Sequence, residues 1–168
     1  LDNDQEYSGS KLKFHKSTAM FLEKMLPRGS RLQRQEAYER LLQDLKHPEQ
    51  ASWEIPETVT ASLRPYQVVG YQWLKTLAHY GMGGILADDM GLGKTLQVIA
   101  YIHGIKPEKP TLIVAPSALT YNWLSEINKF TPNAKTIIVD GAKEDREKLI
   151  QTIGEYEFVI TSLSLIHI

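Results

Sequence analysis

The run "ADDMGLGKTLQVIA", Ala87 to Ala100, sets Gly91 and Gly93 beside Lys94 and Thr95, between two apolar stretches. Residues of these types at this spacing can hold phosphate. Glycines let backbone amides converge on an anion because no Cβ blocks the approach. A helix opening at Lys94 adds partial positive charge at its N-terminus. Lys94 offers a full charge for β- and γ-phosphates, and the Thr95 hydroxyl can ligate Mg²⁺. The pattern G-x-x-x-x-G-K-[ST] is met at Gly93, Lys94 and Thr95, but Asp88 stands where the leading glycine would be. The competing reading is a bare strand–turn–helix that carries "GLGK" by chance.

A phosphate loop needs a strand before it and a helix behind it. "GILA" (Gly84 to Ala87) predicts the strand, Asp88 to Gly93 with Leu92 the loop, and "LGKTLQVIAYIH" the helix. Upstream, Pro65 suits the first turn of a helix that continues to Tyr80, with Val69, Trp73 and Leu77 apolar. Downstream, "TLIVAP", "TIIVD" and "FVITS" read as strands, separated by helices over "SALTYNWLSEINKF" and "KEDREKLIQTI". Leu119, Trp123 and Ile127 mark one helical face. Near-continuous apolar strands alternating with helices predict an α/β fold, a parallel sheet with helices on both faces.

The first 50 residues differ. Phe14, Phe21, Leu22, Met25 and Leu26 recur at helical spacing, and Ser30 with Gln33 forms a capping box. Leu32, Tyr38, Leu41, Leu42 and Leu45 make a second stripe. A helical hairpin over residues 1–50 is expected, its first ten residues frayed. Residues 51–62, with Pro56 inside, Pro48 just ahead and no period, read as a linker.

Bulk properties narrow the function classes. The chain has 168 residues, 42% hydrophobic and 23% charged, which suits one folded domain. Its net charge of −1 announces no global basic field. There are no cysteines, which excludes disulfides, thiolate metal sites and cysteine nucleophiles. The five histidines show no metal-ligand spacing. A soluble, intracellular protein is expected, with no membrane partner.

"DDMGLGKT" resembles motif I of the Swi/Snf-like ATPases of helicase superfamily two, where an acidic residue replaces the leading glycine. "LRPYQVVGYQWL" (Leu63 to Leu74) resembles that family's Q-motif helix. "TLIVAPSALTYNWLSEINKF" (Thr111 to Phe130) is similar to motif Ia and its helix, and "FVITS" (Phe158 to Ser162) to motif Ib. "SWEIPETVTASLRPYQ" looks most like the bacterial branch. The resemblance implies a RecA-like P-loop lobe over residues 63–162. It also implies ATP and Mg²⁺ as cofactors, and double-stranded-DNA translocation as the activity. By the same resemblance Gln67 reads the adenine edge, for which an amide offers donor and acceptor together. Lys94 and Thr95 serve the phosphates and Mg²⁺, with Asp88, Gly91, Leu92 and Gly93 forming the loop. Pro116, Ser117, Thr161 and Ser162 lie near the nucleic-acid backbone. Ser117 is equally suited to cap a helix. Trp73 and Trp123 read as core anchors, and Lys143, Arg146 and Lys148 as a solvated helix face.

The partners implied are duplex DNA, a second RecA-like lobe, and RNA polymerase or another DNA-bound protein. The location implied is the cytoplasm, on the nucleoid. The family's acid pair and arginine finger are not among these residues. The chain therefore reads as the N-terminal part of a motor. "LSLIHI" (Leu163 to Ile168) matches the translation of a transposon-adapter end and is expected to be a non-native tail. The alternative function is a nucleotide-binding regulatory or scaffold module without motor activity. A small-molecule kinase is disfavoured by the Q-motif helix.

Overall fold

The computed structural model describes residues 7–8, 11–12, 15–25 and 36–165. An antiparallel pair joins β1 (Tyr7–Ser8), within the ten residues the sequence suggests are frayed, to β2 (Lys11–Leu12) just after them. Helices α1 (Ala19–Met25) and α2 (Glu36–Lys46) follow, then α3 (Pro65–His79) and α4 (Lys94–Ile105). From there strands and helices alternate: β3 (Thr111–Ala115), α5 (Thr120–Phe130), β4 (Thr136–Val139), α6 (Lys143–Ile150) and β5 (Phe158–Ser162). No helix among the described residues is long and apolar enough to cross a membrane.

The three strands β3, β5 and β4 form a parallel sheet in that order, with Ile113, Ile160 and Ile138 in register. These isoleucines face the same side. There Ile99 and Ile102 of α4 and Ile127 of α5 close the main core over Phe158. Each fully buried isoleucine contributes about 1.5–3 kcal/mol of apolar transfer. The step from β3 to β4 passes over β5, and the step from β4 to β5 comes back. Right-handed crossovers therefore send α5 and α6 to opposite faces. α6 buries none of its residues, and Leu112 and Val114 of β3 remain exposed beyond its reach.

The hairpin helices meet through Ala19 against Leu41 and Leu42, with Tyr38, Leu45, Tyr80 and Met82 around them. Phe21 and Met25, expected inside, are 62% and 66% exposed. Ala19, a small residue, is the part of α1 buried at this contact among the described residues. Phe14, Leu26, Leu32 and the Ser30–Gln33 capping box lie outside the described residues. Tyr80 donates to Asp44 at 2.5 Å and ties the pair of helices to the end of α3.

Residues 51–62 carry no regular structure, yet they do not hang free. The backbone N–H of Trp53 donates to Gln72 Oε1 at 3.1 Å, and Gln72 Nε2 returns a bond to the Trp53 carbonyl at 2.8 Å. Tyr71 donates to the Glu54 carbonyl at 2.7 Å. Val59 is buried with Tyr71, Leu96 and Ala100, and the Thr60 amide bonds the Phe130 carbonyl at 2.9 Å. The segment is a strap across α3, α4 and α5.

Candidate nucleotide-binding loop

α4 buries Ile99 and Ile102 against the sheet, and its last turn is fixed by His103. His103 Nδ1 meets Glu157 Oε1 at 2.6 Å, one residue before β5, and His103 Nε2 meets Thr58 Oγ1 of the strap at 2.8 Å. The C-terminal end of α4 thus sits at the start of β5. A helix of 12 residues spans about 18 Å, close to the length of the strand it crosses. Lys94 therefore lies toward the carboxyl edge of the sheet, where ligands of parallel α/β folds bind.

The loop ahead of α4 is shaped by two glycines in the left-handed region, Gly91 at φ 84° and Gly93 at φ 71°. Gly93 is the helix N-cap and has no side chain to occupy the first free N–H groups of α4. Those amides are left for an outside acceptor. Lys94 Nζ donates to the carbonyls of Asp88 at 2.7 Å and Asp89 at 2.8 Å. Thr95 sits half-buried in the same turn. The amides and the ammonium are donors, the Asp88 and Asp89 carbonyls beside them are acceptors, and nothing stands within 4 Å of where a Cβ on Gly91 would lie. This open donor cradle fits phosphate oxygens. Among the described residues no cluster of three His, Cys, Asp or Glu could hold a metal by itself.

Gln67 is buried, and both ends of its amide are engaged. Oε1 accepts from the Arg64 N–H at 2.9 Å, and Nε2 donates to the Leu92 carbonyl at 3.0 Å. It is a strut between α3 and the loop. The strand expected over Gly84 to Ala87 is absent from the sheet. Strands exist by ladder partners, and this stretch has none among the described residues, Gly84 packing against α3 instead. A Cβ on Gly84 would come within 2.7 Å of Trp73 Cη2, and Ile85 is 85% exposed. An apolar cleft of about 370 Å³ between the hairpin and α3, lined by Met20, Leu45, Trp73 and Leu77, includes none of residues 88–95 in its lining.

Pro116 and Ser117 follow β3, and Thr161 and Ser162 end β5. Ala115 pairs with Ser162, so all four share the carboxyl edge. Only Pro116 and Ser117 are exposed. Thr161 donates to the Val139 carbonyl at 3.1 Å, and the buried Ser162 hydroxyl pairs with Ser164 at 2.9 Å. Ser117 does not cap α5. A 3-10 turn over Ser117–Leu119 intervenes, and Pro116 precedes it as N-cap. Lys143 pairs loosely with Glu147, while Arg146 donates to the Gly141 carbonyl at 2.6 Å.

The sequence model of the SNF2-related domain matches residues 66–168. The chain belongs to the SNF2-related family. It is 43% identical over 120 residues to the ISWI chromatin-remodeling complex ATPase ISW1 of Saccharomyces cerevisiae, a match covering 67% of this chain and 11% of that protein. It is 40% identical over 116 residues to the ATP-dependent DNA helicase DDM1 of Arabidopsis thaliana, covering 64% and 15%. Among solved structures, the Sulfolobus solfataricus SWI2/SNF2 ATPase core in complex with dsDNA matches at a TM-score of 0.61 and 35% identity, covering 68% of this chain and 24% of that one. The α/β, RecA-like lobe is thereby established. This SNF2-related chain spans about a tenth of the length of the curated relatives it matches. One residue of the loop's surroundings escaped the sequence reading: Gln97, fully buried on α4. The available signal was a polar residue inside the apolar run "TLQVIA".

Proposed function

We propose that this chain binds ATP with Mg²⁺ at residues 88–95 and is the ATP-binding lobe of a double-stranded-DNA translocase. The observation that carries the reading is the cluster of donors: uncapped first-turn amides of α4 and the Lys94 ammonium beside two left-handed glycines. On binding, Lys94 exchanges the Asp88 and Asp89 carbonyls for phosphate oxygens. Thr95 is the hydroxyl that would ligate Mg²⁺, which supplies charge neutralisation on the phosphates. Gln67 would read adenine by giving up the Leu92 carbonyl. Pro116 and Ser117 offer an exposed edge for DNA phosphates. Thr161 and Ser162 contribute there through position, since their hydroxyls are already engaged.

The wider reading follows the relatives. The full-length protein is an ATPase that closes a second RecA-like lobe on this one. It acts on duplex DNA, in the bacterial cytoplasm on the nucleoid, alongside RNA polymerase or another DNA-bound protein. "SWEIPETVTASLRPYQ" supports the bacterial branch. Titration of a fluorescent ATP analogue with Mg²⁺ into the chain tests the core of this reading. Lys94→Ala removes a charge-assisted bond of about 1.5–3 kcal/mol and should weaken binding about 10- to 150-fold. Its two carbonyl partners belong to exposed residues, so the unfolding free energy should move by less than about 0.5 kcal/mol. Unchanged affinity in Lys94→Ala refutes the cradle.

A further inference from the structure

Gln97 is fully buried in α4, yet its carboxamide is only half satisfied. Nε2 donates to Asp88 Oδ2 at 3.4 Å, a long bond to a charged acceptor. Oε1 has no partner among the described residues. It lies so close to Gly70 of α3 that a methyl group there would overlap it. Turning the amide over would aim its carbonyl oxygen at the carboxylate. The donor therefore belongs to Asp88, and the oxygen is left against the glycine. A buried amide with an orphan oxygen destabilises a core. An apolar side chain of the same shape would remove that cost, but it could not hold Asp88.

We propose that Gln97 is a positioning residue for the nucleotide loop, acting through the Asp88 side chain. The proposal rests on the nucleotide-binding reading above. Asp88 heads the loop at the place where the common phosphate-loop pattern has a glycine. Its carboxylate is held by Gln97 and its carbonyl holds Lys94 Nζ at 2.7 Å. At the other end of the loop, Gln67 Nε2 holds the Leu92 carbonyl at 3.0 Å. Two glutamines, one from each of the packed helices α3 and α4, thus fix the head and the tail of the loop. Gly70, three residues after Gln67, gives Gln97 the room to lie between the helices. A loop ordered beforehand loses less freedom when it closes on a ligand.

The test is Mg²⁺-dependent binding of a fluorescent ATP analogue to the wild-type chain and to Q97M, D88A, Q97M/D88A and Lys94→Ala, with a thermal midpoint for each. Q97M should bind about tenfold more weakly, equivalent to about 1.4 kcal/mol. Its midpoint should hold or rise, because methionine fills the site without an orphan oxygen. D88A tests the same tether from its exposed end without touching the core, and should show a similar loss. The double variant should bind no worse than D88A alone. Wild-type affinity in Q97M overturns the inference, as does a loss that only follows a lowered midpoint or a full additional loss in the D88A background. If the wild type binds and Lys94→Ala does not, those outcomes count against Gln97 alone. If the wild type does not bind the analogue, the nucleotide reading fails and this inference fails with it.

Discussion

Gly93→Ala should do two separate kinds of damage, and its neighbour Gly91 separates them. Both glycines have positive φ, 71° and 84°. An L-residue forced into that region costs about 1–2 kcal/mol at either position. Beyond that the surroundings differ. A Cβ on Gly93 would sit 2.5 Å from Gln67 Nε2, whereas nothing lies within 4 Å of one on Gly91. Gly93→Ala must push the Gln67 amide off the Leu92 carbonyl, losing a hydrogen bond of about 1 kcal/mol. The totals are about 2–3 kcal/mol for Gly93→Ala and about 1–2 kcal/mol for Gly91→Ala. Urea denaturation reads the difference: Gly93→Ala should lower the midpoint by about 1 M, using a slope of about 1–3 kcal/mol/M, and Gly91→Ala by less. In a Gln67→Ala background the two substitutions should become equal. Equal effects in the wild-type background would refute the argument, because the strut between α3 and the loop would then carry no energy.

Tyr80 gives a pH signature. Burial, aided by its bond to Asp44, pushes its phenol from an ordinary value of 10.0 up to about 12. The folded chain therefore keeps the neutral phenol where the unfolded chain loses it. Its contribution is whole below pH 10 and disappears as pH rises from 10 to 12. Wild-type stability should fall more steeply over that window than that of Tyr80→Phe, and parallel curves would contradict the assignment. Thr58→Val keeps the shape of the strap but deprives His103 Nε2 of its partner. It should cost about 0.5–1.5 kcal/mol and speed limited proteolysis within residues 51–62; an unchanged cleavage rate would count against the strap being held there.

Much of this was readable from residue patterns. Period and punctuation placed α3 to α5 and the three strands, because these elements bury a face each, while α6, which buries no residue, was marked by its polar run between two strands. The glycine loop was readable because Lys94 and Thr95 follow it at fixed spacing. What escaped depends on contacts across the chain. "GILA" has the composition of a strand, but no pattern within four residues can supply a ladder partner. The strap looks like a linker because its order comes from Gln72, Tyr71 and Phe130, distant in sequence. Thr161 and Ser162 look available for phosphate, but cross-strand and local bonds occupy their hydroxyls. Gln97 shows in the sequence only as a polar residue in an apolar run, and its meaning lies in Asp88 and in Gly70, a glycine in the middle of another helix. The first apolar stripe misled because spacing sets which residues share a face, not whether that face is covered.

The central strand of the sheet is the last of the three to be synthesised. β3 and β4 flank β5 and do not pair with each other. During translation both emerge without a native partner, with Leu112, Ile113 and Val114 on one and Ile137, Ile138 and Val139 on the other. At about 5–20 residues per second, the stretch from Ala115 to Phe158 takes about 2–9 seconds to make. Helical pieces can form in that interval, but the sheet cannot. The nascent chain therefore passes through a period in which two apolar β segments wait for a third, and in which foreign strands can compete for them. When Phe158 to Ser162 arrive they supply the pairing partner of β3 and of β4 at once, one on each edge.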